Sequence, residues 1–358
     1  MKNKLKLRYI LICLTIISSF TGCFPNGEIE PAQAEHIENI LDINQSDNEN
    51  IIYDFKIDDI EQHEYPNLYV KRKIWDSSII NDIFSVDNTN VTTEIQQPSD
   101  YFPEKDYYHC YHFIDNSVLA YDAGTIFYLT EKAEKNNYTI YDSYYNIMFT
   151  ADNMREIFPK TKLTSFSSEN AESEMKKIIE KLAVSVNETP EIYALDKETV
   201  SNVDNNLELH DEAYMITYSC EFDYLQLPNF SIYSSLNDTI TVPFRIVGIF
   251  SKEGLEFFDC WCAIEIVEEK DEIDICDAQT AISVVKNRMK SMAMDNIDYK
   301  IYISGCELIY VPIVFDEGYI LKPMWCFIQN SKIPLNDGGI YDYYEEIFVD
   351  AQTSQIFQ

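Results

Sequence analysis

Two stretches of this chain place apolar residues at helical spacing, and each is followed by segments that read as strands. The first is capped by Ser167 or Ser168 and carries Ala171, Met175, Ile178, Ile179 and Leu182 on one face. The second starts near Asp277, whose carboxylate suits the positive end of a helix, and lines up Ala278, Ala281, Ile282, Val285, Met289 and Met292. A helix with one apolar stripe must lay it on a surface, and the strands can supply it. After the first helix come expected strands at 213–224, 239–250 and 255–267, with Ser251-Lys252-Glu253-Gly254 as the turn between the last two. After the second come 299–314, 319–328 and 341–349, with Asp316-Glu317-Gly318 as a turn. Pro312 and Pro323 lack ladder donors, which predicts edge positions or strand ends for them. The whole predicts an α+β fold in which a helix followed by an antiparallel sheet occurs twice in tandem.

Upstream, shorter strands are expected at 107–114, 118–121, 126–129 and 138–149. Asp122-Ala123-Gly124 separates two of them, and Gly124 offers the positive φ of a tight hairpin. Residues 24–50 are polar and rich in Asn, Asp, Glu and Gln without sustained periodicity, which suits a flexible tether. Asp42, Asn44 and Ser46 have the spacing of a calcium loop, but Asp47 stands where that loop needs Gly and Tyr53 where it needs Glu, so an EF-hand is rejected. The expected organisation is a signal peptide at 1–22, a tether at 23–50, a β-rich N-terminal region at 51–165, and helix-plus-sheet units at 166–275 and 276–358.

Lys2, Lys4, Lys6 and Arg8 precede an apolar run from Tyr9 to Phe20 that ends in Phe20-Thr21-Gly22-Cys23. The run is about a dozen residues, against the roughly 20 that span hydrocarbon, so it reads as the apolar core of a signal peptide. The segment resembles a bacterial lipoprotein signal, with Phe20 where Leu is usual. The resemblance implies cleavage before Cys23, acylation of its thiol, and a body anchored by lipid on the extracytoplasmic face of the cell membrane.

The 358-residue chain has 27 Lys+Arg and 61 Asp+Glu, a formal charge of −34. Loss of residues 1–22 would remove four basic groups and no acidic one, giving −38. Such a field repels nucleic acid and anionic headgroups, so a nucleic-acid partner is excluded and a cationic one favoured. Beyond Cys13 and Cys23 there are seven cysteines, an odd number that argues against a complete disulfide framework and for buried thiols. Cys260 and Cys262 flank Trp261, and a disulfide between such near neighbours would be strained.

Chemistry is hard to find. Of five histidines only His109 and His112 cluster, in His109-Cys110-Tyr111-His112, where a strand would put Cys110 and His112 on one face and His109 on the other. Zinc would need further ligands from elsewhere, so no metal or cofactor is expected. No Gly-rich phosphate loop, Gly-x-Ser-x-Gly elbow or His-Glu-x-x-His motif occurs, and no catalytic residue is assigned. Glu265, Glu268 and Glu269 are weighed as acids for glycan hydrolysis, but nothing distinguishes them from a solvated strand end.

The terminal stretch Glu346-Ile347-Phe348-Val349-Asp350-Ala351-Gln352-Thr353-Ser354-Gln355-Ile356-Phe357 resembles the strand, Asp-Ala-x-Thr-Gly turn and strand that close PepSY-type domains, with Ser354 in place of Gly. With the helix from Asp277 and Pro323-Met324-Trp325, the last roughly 80 residues are similar to the domains of the YycH and YycI regulatory proteins. The layout resembles uncharacterised surface lipoproteins of Firmicutes. That likeness implies a non-enzymatic protein that binds or regulates a cell-surface protein partner. A cell-wall glycan hydrolase and a solute-binding lipoprotein are the alternatives.

Overall fold

The computed structural model of the chain describes residues 41–48, 50–57, 64–87, 89–99, 107–138, 155, 158–199, 209–222, 225–228, 232–234, 239–241, 244–261, 263–291, 300–315, 318–334 and 339–357. The chain opens with strands β1 (Leu41–Asn48), β2 (Ile51–Ile57) and β3 (Glu64–Arg72), then helix α1 (Ser77–Ile83). Strands β4 (Val91–Pro98), β5 (Tyr107–Phe113), β6 (Val118–Asp122) and β7 (Thr125–Leu129) lead to the short helix α2 (Glu131–Lys135) and the long helix α3 (Glu169–Leu182). Next are β8 (Glu191–Leu195), β9 (Ala213–Ser219), β10 (Ile232–Ser234), β11 (Thr239–Thr241), β12 (Arg245–Ser251), β13 (Gly254–Cys260) and β14 (Ile264–Asp274). Helix α4 (Ala278–Ser291) precedes β15 (Ile301–Phe315), β16 (Gly318–Pro334), β17 (Ile340–Asp350) and β18 (Gln355–Phe357).

The α+β class holds, with strands predominating. Two eight-stranded sheets carry the fold. One runs β4-β5-β6-β7-β13-β12-β9-β8. The other runs β1-β2-β15-β16-β17-β18, with β3 joining β16 to β14. Pairs are antiparallel except β2 with β15, where Ile51 lies opposite Ile301 in parallel register. Both helical stripes are buried as their spacing requires. Ala171, Met175, Ile179 and Leu182 of α3 share a core with Ile216, Ile246 and Phe250 of the first sheet. Gly248 lets the helix approach: a Cβ there would stand 2.7 Å from Met175 Sδ. Ala281, Ile282, Val285 and Met289 of α4 pack with Tyr53, Trp325, Phe327 and Val349 of the second sheet. Each such fully buried large side chain contributes about 1.5–3 kcal/mol of transfer free energy.

The structure corrects the expected organisation in three places. Residues 41–48, assigned to the tether, form β1, in register from Leu41 opposite Ile57 to Asn48 opposite Ile51. Their polar sequence hid this because an edge strand is held by backbone hydrogen bonds and needs no apolar alternation. The strand expected over 255–267 is two strands in different sheets: β13 ends at Cys260 and β14 begins at Ile264. The apolar run Cys260–Ile264 conceals such a handover. The boundaries at 165 and 275 do not separate sheets either. β2 and β3 pair with the C-terminal strands, β7 pairs with β13, and β14 lies beside β3. Tyr65, Leu68, Val70, Tyr310 and Leu321 from the second sheet share one core with Leu119, Tyr121, Ile246 and Phe258 from the first. Other differences are smaller. The strand expected over 239–250 is split into β11 and β12, with Pro243 in the intervening sequence, and the strand starting at Ala213 stops at Ser219. Of the strand expected over 138–149, all but Tyr138 lies outside the described residues, as does Met292.

Neither proline is at a strand end: both lie inside the β15–β16 ladder, Pro312 opposite Leu321 and Pro323 opposite Tyr310, outside the stretches that pair with β2, β3 or β17 on the other side. β16 pairs with β3 through 319–321 and with β17 from Met324 onward, and Pro323 stands in the gap between these partners. Pro312 lies beyond the three residues of β15 that pair with β2. The closing turn is built as its sequence suggests. Asp350 Oδ1 accepts from the backbone N–H of Gln352 (2.9 Å) and Thr353 (3.0 Å), and Ser354, at φ 55°, holds the left-handed conformation that Gly adopts without strain. Left-handed backbone costs a side-chain-bearing residue about 1–2 kcal/mol. Ser354→Gly should therefore hold or raise the urea midpoint, although it loses the hydroxyl contact to Cys276. Ser354→Val should lower it, with an unfolding free energy about 1–2 kcal/mol below that of the Gly variant. A Val variant as stable as the Gly variant would show that the turn adopts another conformation.

Candidate functional site

A cleft of ≈ 450 Å³ opens where α1 ends against the β5–β6 turn. Its floor is aromatic. Phe84, the C-cap of α1, lies 5.1 Å from the Tyr128 ring and 5.7 Å from Phe258 by ring centroids, and Phe113 lines the cleft beside them. One wall is the loop that leaves α1. Ser85 turns it through φ 54°, Asn90 Nδ2 donates to the Ser85 carbonyl at 2.7 Å, and Asn90 Oδ1 accepts from the Asp87 N–H at 3.1 Å. With both ends of its amide engaged, Asn90 stiffens the wall and does not reach into the cleft as an idle donor.

The opposite wall is the β5–β6 turn. Asp115 Oδ1 accepts from the Ser117 backbone N–H at 3.0 Å and from Ser117 Oγ at 2.6 Å, an Asx turn completed by Asn116 at φ 65°. Ser117 also reaches the Tyr128 hydroxyl. Burial raises the Tyr128 phenol above its ordinary value, and the hydrogen bond to Ser117 only partly opposes this. Asp115 is exposed, and its Oδ2 makes no hydrogen bond among the described residues. Ile114, 65% exposed, stands at the mouth. An aromatic floor with a few convergent polar groups is the usual anatomy of a small-ligand site. Composition gave little warning of it, because Phe84 and Tyr128 are far apart in sequence and Asp115 is one of 61 acids. The one local signal is Ile114-Asp115-Asn116-Ser117, a turn sequence between two strands.

The His-Cys cluster is arranged as strand alternation predicts. Cys110 Sγ and His112 Nε2 are 3.9 Å apart on one face of β5, whereas His109 stacks on Tyr121 across the other at 4.7 Å. Tyr108 shares the face of Cys110, and burial followed by the neighbouring thiol pushes its phenol up to about 12. Among the described residues no group of three or more His, Cys, Asp or Glu could hold a metal ion. Cys110, Cys220, Cys260, Cys306 and Cys326 are buried and Cys276 is half-buried; Cys262 and Cys23 lie outside the described residues. Glu265, Glu268 and Glu269 are exposed on β14, with Glu268 beside Lys270. Among the described residues the acid whose pKa is raised is on another strand: burial lifts Glu346 of β17 to about 7.

A second polar cluster is structural in its geometry. Lys132 Nζ lies 3.1 Å from Glu253, 3.5 Å from Asp211 and 3.6 Å from the buried Glu256. Burial pulls the ammonium pKa down, but the hydrogen bond to Glu253 and the charges of Glu256 and Asp211 outweigh it and hold the group above its ordinary value. Glu256 accepts from Ser251 Oγ at 2.5 Å and Thr130 Oγ1 at 2.6 Å, so this cluster fastens α2 to the β12–β13 hairpin.

No protein-family model matches the chain, and no curated protein does. Its fold is similar to that of an uncharacterised protein from Eubacterium rectale ATCC 33656, determined by crystallography at 1.45 Å resolution. The TM-score is 0.64, with 15% sequence identity over 88% of this chain and 93% of that one. At that identity the likeness establishes a shared fold and carries no residue roles. Among the described residues no helix is long and apolar enough to cross a membrane.

Proposed function

We propose that the chain is a lipid-anchored binding or regulatory protein of the extracytoplasmic face, tethered through Cys23 and in contact with another cell-surface protein. The observation that carries this reading is the order basic residues, apolar run, Thr21-Gly22-Cys23. The acidic body agrees with it, since a field of this sign keeps a surface protein soluble and away from anionic headgroups. The open edge of β4 also agrees. Among the described residues it pairs with β5 alone, and every residue from Thr92 to Pro98 is exposed, the kind of edge that can accept a partner's strand.

Replacing Cys23 with Ala tests the anchor. Metabolic labelling with a radioactive fatty acid should be abolished, and the protein should move from the membrane to the soluble fraction. Label retained at another residue would overturn the assignment.

A further inference from the structure

The cleft beside α1 is asymmetric in charge. Among the described residues its lining includes one carboxylate, Asp115, and no Lys, Arg or His. Oδ1 of that carboxylate is committed to the turn, so Oδ2 is the oxygen left to meet a ligand at the mouth. Below it the rings of Phe84 and Tyr128 supply both apolar contact area and π-faces that attract cations. Of the neighbouring acids, Asp87 closes the adjoining loop, and Glu131, which accepts from Asn116 at 3.1 Å, is already paired with Lys135 at 2.7 Å, so Asp115 is the carboxylate that faces the cleft. An anion would meet repulsion here with no compensating donor pair. A neutral ring would fill the floor but leave Asp115 without a counter-charge.

We propose that this cleft binds a primary amine carried on an apolar stem, with the ammonium at Asp115 Oδ2 and the stem over Phe84 and Tyr128. The chemistry is shared by free arylalkylamines and by a lysine side chain presented by a partner protein. The site stands apart from the anchor: titration reads the cleft, whereas fatty-acid labelling reads Cys23, and either can fail alone.

The test is isothermal titration of the full chain with phenethylamine, phenethyl alcohol, phenylacetate and Nα-acetyl-lysine N-methylamide. Phenethylamine should bind several-fold more tightly than the alcohol, and phenylacetate should not bind. The preference should shrink in 1 M NaCl, because the pair is near the surface. Asp115→Asn keeps the Oδ1 acceptor of the turn and removes the charge; it should weaken phenethylamine by about fivefold and leave the alcohol unchanged. Binding of the capped lysine as well would favour a protein source for the amine, and binding of phenethylamine alone a free one. Equal affinity for amine and phenylacetate, no amine binding at 10 mM, or an Asp115→Asn variant with wild-type amine affinity would each overturn the proposal.

Discussion

Gly124→Ala should destabilise the folded chain by about 2–4 kcal/mol, one of the largest effects available from adding a single methyl group. Two costs combine. Gly124 has φ 70°, a conformation that costs a residue with a Cβ about 1–2 kcal/mol. The added Cβ would also stand 2.7 Å from the Ala263 carbonyl oxygen and 3.3 Å from Arg72 Cβ, and neither neighbour is the free end of a flexible side chain. Relief requires backbone movement at a junction that cannot easily move. The Gly124 N–H donates to Lys73 O (2.7 Å), the Ala263 N–H to Gly124 O (2.7 Å) and the Lys73 N–H to Ala263 O (2.9 Å). Here the β6–β7 turn meets the chain leaving β3 and the crossover from β13 to β14, so the collision falls where the two sheets are joined. Gly254→Ala is the control. Gly254 is also at positive φ, 128°, but an added Cβ there meets nothing within 4 Å. Urea unfolding of both variants separates strain from collision, and equal losses at the two positions would mean that the junction yields.

That junction also shows where the sequence stops being legible. The two amphipathic helices, the β5–β6–β7 meander and the long C-terminal hairpins are readable because a helical stripe or strand alternation is a local pattern, repeated within a few residues. Their turns are readable for the same reason: Gly124 takes the positive φ expected of it, and the turns expected at Gly254 and Ser354 also place those residues at positive φ. Partner choice is not local. Nothing in the alternation of β3 says that it will lie between β14 and β16, and nothing in β13–β14 marks the change of sheet except three residues, 261–263, inside an apolar run. The polar β1 escapes because an edge strand can be placed by backbone pairing without an apolar alternation to announce it. The cleft escapes for a related reason: its floor joins the end of one helix to a strand more than forty residues later, and only the turn carrying Asp115 leaves a trace.

The same limit applies to Glu346, whose burial lifts its carboxyl above the ordinary carboxylate range. It occupies an ordinary alternating position in β17, opposite Ile328 of β16, and shares its sheet face with Cys326 and Phe348. Its Oε1 is shut off from solvent and has no hydrogen-bond partner. The other charged or titratable groups acting on it are Glu345, the next residue in the strand, and the Cys326 thiol; both disfavour ionisation. Burial is the main cause of the rise from the ordinary 4.5 to about 7. In the folded chain the carboxyl holds its proton up to about pH 7, whereas the unfolded chain releases it near 4.5. Between those values the native state binds more protons, so its stability falls as pH rises. The contribution is complete below pH 4.5 and lost above pH 7. At about 1.4 kcal/mol per pKa unit the whole swing is at most about 3 kcal/mol. Glu346→Gln keeps the shape and removes the titration. At pH 8 the variant should be more stable than the parent, by up to about 3 kcal/mol, and the two should converge near pH 4. The variant-minus-parent difference in urea midpoint cancels the titration of the other acids. A difference that stays constant with pH would show that this carboxylate is solvated, and one that grows toward low pH would show that a cation holds it ionised.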